Sequence, residues 1–212
     1  MAVLLLRLAA PLQAWGGSAK FEVRTTQREP TKSGVIGLLA ASLGIPRDAD
    51  LSKHANLSSL RFGIRVEREG KLLRDFHTAR SEDGKTAYIT ERYYLSDAIF
   101  LAALESENTV FLETLAHALK HPVYPLFLGR RSCPPTLPLL LGIREGTLMQ
   151  VLRDEPKLEK SSSMRIVCDA AENGFPVQDV PVSFSPLHRK HKFRMVQEEI
   201  LFSDEHDPMA EL

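Results

Sequence analysis

Apolar residues crowd the start of the chain: Val3-Leu-Leu-Leu-Arg-Leu8 is almost unbroken, and Pro11 ends it. A run of this kind predicts a central β-strand covered on at least one face. Val35-Ile-Gly-Leu-Leu-Ala-Ala-Ser-Leu43 has the length and apolar density of a buried helix. Thr31 or Ser33 stands at its N-cap, and Gly44 then Pro46 closes it. Asp48–Leu60 predicts a second, more polar helix. Alternation then takes over. Leu60–Arg68 reads as a strand, Glu69-Gly70 as a turn, and Lys71–Thr78 as the returning strand of a hairpin. Thr86–Leu95 is rich in β-formers and aromatics, and Ala98–Leu104 extends it. Arg80 to Tyr94 therefore predicts a projecting β-arm. Val110–Lys120 carries apolar residues at helical spacing and a basic end, so it predicts an amphipathic helix. Leu126-Phe-Leu128 reads as a short buried strand that stops at Gly129.

The order strand, helix, β-hairpin with an arm, helix, strand is the βαββαβ pattern of an α+β, ferredoxin-like (RRM-like) domain, shared by many RNA-binding modules. Beyond Gly142 the pattern weakens. Thr147–Arg153 predicts a short helix and Met164–Asp169 a strand. Gly174–Pro186 predicts turns and extended pieces. The basic run His188–Arg194 reads as a solvated hairpin face, with contact to RNA or target DNA as the alternative. The expected organisation is a domain over residues 1–142, with its arm at about 79–95, and a small β-rich C-terminal part over 143–212.

Composition changes this picture little. Of 212 residues, 43% are hydrophobic and 25% charged, and the formal net charge is zero. A protein that coats nucleic acid without selectivity is usually basic overall, so that role is disfavoured. Charge is uneven, however. Residues 1–47 hold Arg7, Lys20, Arg24, Arg28, Lys32 and Arg47 against Glu22 and Glu29, whereas Asp204, Glu205, Asp207 and Glu211 make the end acidic. Cys133 and Cys168 form neither a CxxC nor a zinc spacing, and the histidines lie scattered, so no metal or cofactor is expected. A reducing cytoplasm is the expected location. Arg7 interrupts the opening apolar run, which favours a first strand over a signal peptide, and no stretch has the length of a membrane span.

Candidate chemistry centres on Tyr124-Pro-Leu-Phe-Leu-Gly-Arg-Arg-Ser-Cys-Pro-Pro135. Arg130 and Arg131 follow Gly129 directly, and no Asp or Glu lies between His121 and Arg144. Two guanidinium forks beside free backbone N–H groups suit phosphate, and a surface loop whose arginines pair with distant acids fits equally. Pro30-Thr-Lys-Ser-Gly34 places hydroxyls and Lys32 at a helix start, an anion site or a plain cap. Trp15, in Gln13-Ala-Trp-Gly-Gly17, could stack on a base or fold back as a core lid.

Several pieces in order then resemble one family. They are Leu4–Ala9 with Gln13-Ala-Trp-Gly16; Phe21-Glu22 with Arg24-Thr25; Pro30–Gly34 with Gly37-Leu38-Leu39; Leu43-Gly-Ile45; Leu73-Arg-Asp-Phe-His-Thr78; Arg92-Tyr-Tyr-Leu95 with Asp97-Ala98; and Leu128-Gly-Arg-Arg-Ser-Cys-Pro134. The set is similar to the CRISPR-associated RAMP subunits that cap the 5′ handle of CRISPR RNA in type I-E Cascade (CasD-like), over about the first two-thirds of the chain. The resemblance implies a non-catalytic RNA-binding subunit with an RRM-like domain, a β-thumb and a small C-terminal part. It implies contacts to CRISPR RNA, to the backbone RAMP subunits and to the large subunit, with target DNA met indirectly and no membrane. The RNA-binding positions it implies, together with the local chemistry, are Gln13, Trp15, Arg24, Lys32, Ser33, Gly34, Tyr88, Arg92, Gly129, Arg130, Arg131 and Ser132. Two departures stand out: the stretch from Thr78 to Arg92 is shorter than in many relatives, and residues after Gly142 match poorly.

The alternative is a metal-independent endoribonuclease processing CRISPR repeat RNA. That chemistry needs a base near a 2′-OH and a cation near the phosphate, roles open to His77, His121, Tyr88 and Lys85. A third reading makes the basic turn a protein-bridging surface, since Arg is favoured in protein interfaces too.

Overall fold

The structure, a computed structural model, describes residues 1–16, 23–83, 85, 87–160, 163–170, 173–185 and 188–202. Phe21-Glu22 and the acidic end, both noted above, lie outside the described residues.

β1 (Ala2–Ala9) is the sequence's opening apolar run. Its unbroken hydrophobicity has a two-sided cause. Leu4, Leu6 and Leu8 face a core shared with helices α1 (Lys32–Ser42) and α3 (Thr109–Lys120), while Val3 and Leu5 face a second core under α4 (Leu148–Asp154). Alternate side chains of a strand point to opposite faces, so a strand covered on both sides must be apolar at every position.

β4 (Arg61–Arg68), β7 (Ile99–Ser106) and β8 (Leu140–Glu145) join β1 in an antiparallel array with the spatial order β8-β1-β7-β4. The sheet continues past β4 through β9 (Ser163–Asp169), β11 (Lys190–Phe202) and β10 (Phe175–Ser183), giving seven strands. The C-terminal residues are thus strand-rich but extend the same sheet, and β8 straddles the boundary placed at residue 142. A second sheet holds β2 (Leu12–Gln13), β3 (Val23–Arg24), β5 (Lys71–Arg80) and β6 (Ala87–Ser96). Together they make an α+β architecture of mostly antiparallel sheets.

Four expectations are corrected. Leu60–Arg68 and Lys71–Thr78 do not form a hairpin: β4 pairs with β7 and β9, and β5 pairs with β6. Gly70, at φ 74°, turns the chain out of the first sheet, and Asp97, at φ 56°, turns it back, so Ile99–Leu104 belongs to β7 and does not extend the strand that ends at Ser96. The arm is the β5–β6 hairpin and starts at Lys71, earlier than expected. Leu126–Leu128 is not a strand. Prolines 122, 125, 134 and 135 break the segment, and the Leu128 backbone accepts from Ala14 N–H and donates to Cys133 C=O. The closing strand is β8, further along the chain. Asp48–Leu60 forms a 3-10 turn (Leu51–His54) and a short α2 (Ala55–Ser59), not one helix.

Candidate nucleic-acid interface

α1 begins as the sequence predicts. Thr31 is the N-cap, and its hydroxyl accepts from the Gly34 N–H at 3.2 Å. The anion expected at this helix start is the protein's own: Asp179, from β10, accepts the Lys32 N–H at 2.8 Å. Asp179 also holds Arg194 through two bonds, and Arg194 reaches Asp169 at 2.6 Å. Asp169 takes the Lys32 ammonium at 3.2 Å and the Phe62 N–H at 2.9 Å. Lys32 is buried, and burial lowers its pKa against the opposing pull of Asp169. This network fastens β9, β10 and β11 to α1. Lys32 therefore sits in an internal ion cluster, which corrects its expected place among the phosphate-facing residues.

Gln13 and Trp15 are interior as well. Gln13 is fully buried and its amide donates to Leu8 C=O at 3.2 Å and Ala98 C=O at 2.7 Å. The Trp15 indole N–H donates to the Gln13 side-chain oxygen at 3.1 Å, and the residue is 1% exposed. Its ring packs on Gly34, where a β-carbon would lie 2.8 Å from the indole. The ring expected to stack on a base is the core lid instead, since it is buried and its polar atom is already engaged.

Gly129 meets this layer from the other side. It adopts φ +88°, and a β-carbon there would fall 1.6 Å from the Ala14 carbonyl oxygen. The close approach that demands glycine is therefore made by the chain's own backbone. Arg130 turns inward. Its guanidinium donates to the carbonyls of Tyr93 at 3.1 Å, Arg24 at 2.8 Å and Thr25 at 3.4 Å, and lies 4.6 Å from the centroid of the Tyr94 ring. Burial raises the Tyr94 phenol, but hydrogen bonds from Ser132 and Arg130, the Arg130 charge and Arg92 outweigh it and bring the phenol below its ordinary range. Tyr94, which sequence reasoning passed over, thus anchors the arginine turn to the base of the β5–β6 hairpin. Arg131 and Ser132 are exposed, and among the described residues the Arg131 side chain has no partner.

Between this turn and α1 lies a cleft of about 1280 Å³. Arg24, Arg47, Arg130, Arg131 and Arg189 line it, and among the described residues no Asp, Glu or Lys does. Its floor is the small-residue face of α1 at Gly34, Gly37 and Ala41, joined by Phe127 and Phe184. An apolar floor under a ring of guanidinium groups suits a ligand with flat apolar parts on a polyanionic backbone.

Of the expected positions, the cleft brings together Trp15 at its inner edge, Arg24, Ser33, Gly34, Gly129, Arg130 and Arg131. Gln13, Lys32, Tyr88, Arg92 and Ser132 do not line it. Arg92 pairs beside Arg24 across β6 and β3, and Tyr88 is exposed towards the tip of the hairpin. Arg47, Arg189 and Phe184 were missed. Arg47 counted only towards a basic N-terminal region, and Arg189 only towards a run read as solvated. His77 and Asp75 pair at 2.8 Å on β5, Lys85 stands in the hairpin turn, and His121 ends α3 beside His117. Among the described residues, no three His, Cys, Asp or Glu side chains converge as metal ligands, and no helix is long and apolar enough to cross a membrane.

Residues 3–197 match the family described as CRISPR-associated protein (Cas_Cas5), and the chain belongs to that family. It is 41% identical to the CRISPR system Cascade subunit CasD of Escherichia coli (strain K12) over 156 residues, which cover 66% of this chain and 70% of that relative. A chain of a CRISPR RNA-guided surveillance complex superposes with a TM-score of 0.79 at 29% identity, covering 94% of this chain and 90% of the other. A crystal structure of a Cas protein gives a TM-score of 0.75 at 40% identity, with 94% and 95% covered.

Proposed function

We propose that this protein is a non-catalytic subunit of a Cascade-type, RNA-guided surveillance complex, and that its arginine-lined cleft grips the 5′ handle of the guide RNA. One observation carries the reading: among the described residues, five arginines and no acidic residue line one cleft in a chain of zero net charge. Such local charge selects a polyanion, and the apolar α1 floor accepts unstacked bases. The relatedness to the Cascade subunit CasD supports the same conclusion. Arg24 and Arg131, exposed and without acidic partners among the described residues, make the direct phosphate contacts. Arg130 builds the turn that presents Arg131.

The order β8-β1-β7-β4, with α1 and α3 crossing one face, supports a ferredoxin-like core for residues 1–142. The β5–β6 hairpin is then the thumb, whose Tyr88 and Arg92 work at a neighbouring surface of the assembly. Backbone RAMP subunits and the large subunit are the expected partners, in the cytoplasm. The placement of His77, Tyr88 and Lys85 on the hairpin, with His121 at the end of α3, favours this reading over an endoribonuclease.

The test is the affinity of the assembled complex for guide RNA after Arg24→Gln with Arg131→Gln. A fall of about tenfold or more, with the fold unchanged, is expected from lost charge-assisted contacts. Unchanged affinity would remove the cleft from the account.

A further inference from the structure

The basic run His188–Arg194 divides in the structure. Arg194 points inward, held by Asp179 and Asp169, whereas Arg189, five residues earlier, lines the cleft. Arg189 lies between β10 and β11, and those two strands are fastened to α1 by the buried Lys32–Asp169–Arg194–Asp179 network. The network therefore fixes where Arg189 stands.

Arg47 approaches from the segment after α1. Its Nε–H donates to the Phe184 carbonyl at 3.1 Å, and Phe184 in turn packs over Gly37. That bond uses one edge of the guanidinium. Among the described residues, neither Arg47 nor Arg189 has a carboxylate partner. Burial and then the like charge of Arg47 lower the Arg189 pKa. Both arginines line the same cleft beside the apolar Phe184, with no carboxylate of the described residues paired to either, and such a pair suits an incoming phosphate.

Resting on the reading of the cleft as the guide-RNA site, we propose that Arg47 and Arg189 clamp a backbone phosphate of the RNA, separate from the phosphates met by Arg24 and Arg131. The C-terminal strands thereby supply part of the RNA site, and the buried network is the positioning device that delivers Arg189. Phe184 and Gly37 hold the Arg47 side of the clamp.

The experiment measures the affinity of the assembled complex for guide RNA across a potassium chloride series. The variants are Arg189→Gln, Arg47→Gln with Arg189→Gln, and Arg24→Gln with Arg131→Gln. Arg189 makes no protein hydrogen bond among the described residues, so Arg189→Gln leaves the fold intact and its thermal melt serves as the control. The clamp predicts roughly tenfold weaker binding for Arg189→Gln. It also predicts a salt slope shallower by about 0.7, the share of one phosphate on a single strand. Arg189→Lys keeps the charge and is expected to restore the slope but only part of the affinity, because it loses the fork. An unchanged slope and affinity in both Arg189→Gln and the Arg47/Arg189 double variant overturn the clamp. If the Arg24/Arg131 variant still loses binding in that case, the cleft reading survives alone. If all of these variants bind like the wild type, both readings fall.

Discussion

Gly129 stands so close to Ala14 that a β-carbon on it would sit 1.6 Å from the Ala14 carbonyl oxygen, in a backbone at φ +88°. The Ala14 N–H also donates to the Leu128 carbonyl at 3.1 Å, so two loops distant in sequence are pressed together at the head of the cleft. Gly129→Ala must both force a left-handed alanine and push these backbones apart. It is expected to cost roughly 3 kcal/mol, as for other backbone-strain substitutions, seen as a lower urea midpoint at unchanged m-value. Gly16→Ala is the control, since a β-carbon there meets nothing within 4 Å. Equal stabilities would mean that the two loops are not packed as described.

The neighbouring arginines are expected to separate by function. Arg130 ties three carbonyls and covers Tyr94, so Arg130→Ala should lower stability by about 1.5–3 kcal/mol as well as weaken RNA binding. Arg131→Ala should change stability by less than about 0.5 kcal/mol and weaken binding alone. Chemical denaturation beside RNA titration distinguishes them. A destabilised Arg131→Ala, or a fully stable Arg130→Ala, would reverse the assignment.

Asp179 holds the N-terminus of α1 and the Arg194 guanidinium together, with both side chains largely buried. Asp179→Ala leaves Arg194 with Asp169 as its remaining carboxylate and the Lys32 N–H without an acceptor. A loss of about 3–5 kcal/mol is expected, the usual consequence of breaking a buried pair. The readout is global unfolding together with increased proteolysis of β10 and β11. A cost below about 1 kcal/mol would show that the network does not fasten the C-terminal strands.

How much of this was legible in the sequence follows from how far each partner lies along the chain. The two-faced burial of β1 is written in its own residues, and so are the Thr31 cap and the amphipathic α3. The turn Gly129–Arg131 was visible as chemistry, and the family resemblance named it and the start of α1 among the RNA-binding positions. What stayed hidden was which cations are free. Lys32 finds Asp179 147 residues away, and Arg130 finds carbonyls more than a hundred residues upstream for two of its three bonds. No local pattern marks such pairs. The division of the basic run follows from Arg194 lying within β11 while Arg189 just precedes it, and the sequence did not define where that strand starts. Leu126–Leu128 misled because its apolar side chains do pack inward, while prolines deny it a ladder.

His191 lies beside the clamp, facing Arg189 and, more weakly, Asp179. Burial, then the Arg189 charge, lowers its pKa from 6.5. The sign follows from linkage. Between the lowered folded value and 6.5 the unfolded chain binds more protons, so stability rises with pH through that window. His191 contributes fully above pH 6.5 and loses its contribution as pH falls through the folded pKa. An NMR titration of the ring protons should give a midpoint below 6.5, and His191→Gln should flatten the acid limb of the stability profile. A midpoint above 6.5 would place His191 outside the shielded, cationic setting described.

The cleft between the Gly129 turn and α1 is expected to hold the first nucleotides of the guide. Photocrosslinking tests it most directly, with the assembled complex carrying a guide RNA labelled in its 5′ handle and the attached peptides mapped by mass spectrometry. The account predicts attachment to Tyr124–Arg131 and to the segment that carries Arg189. Attachment confined to the outer face of α3 or to β8, with the cleft peptides unmodified, would contradict it.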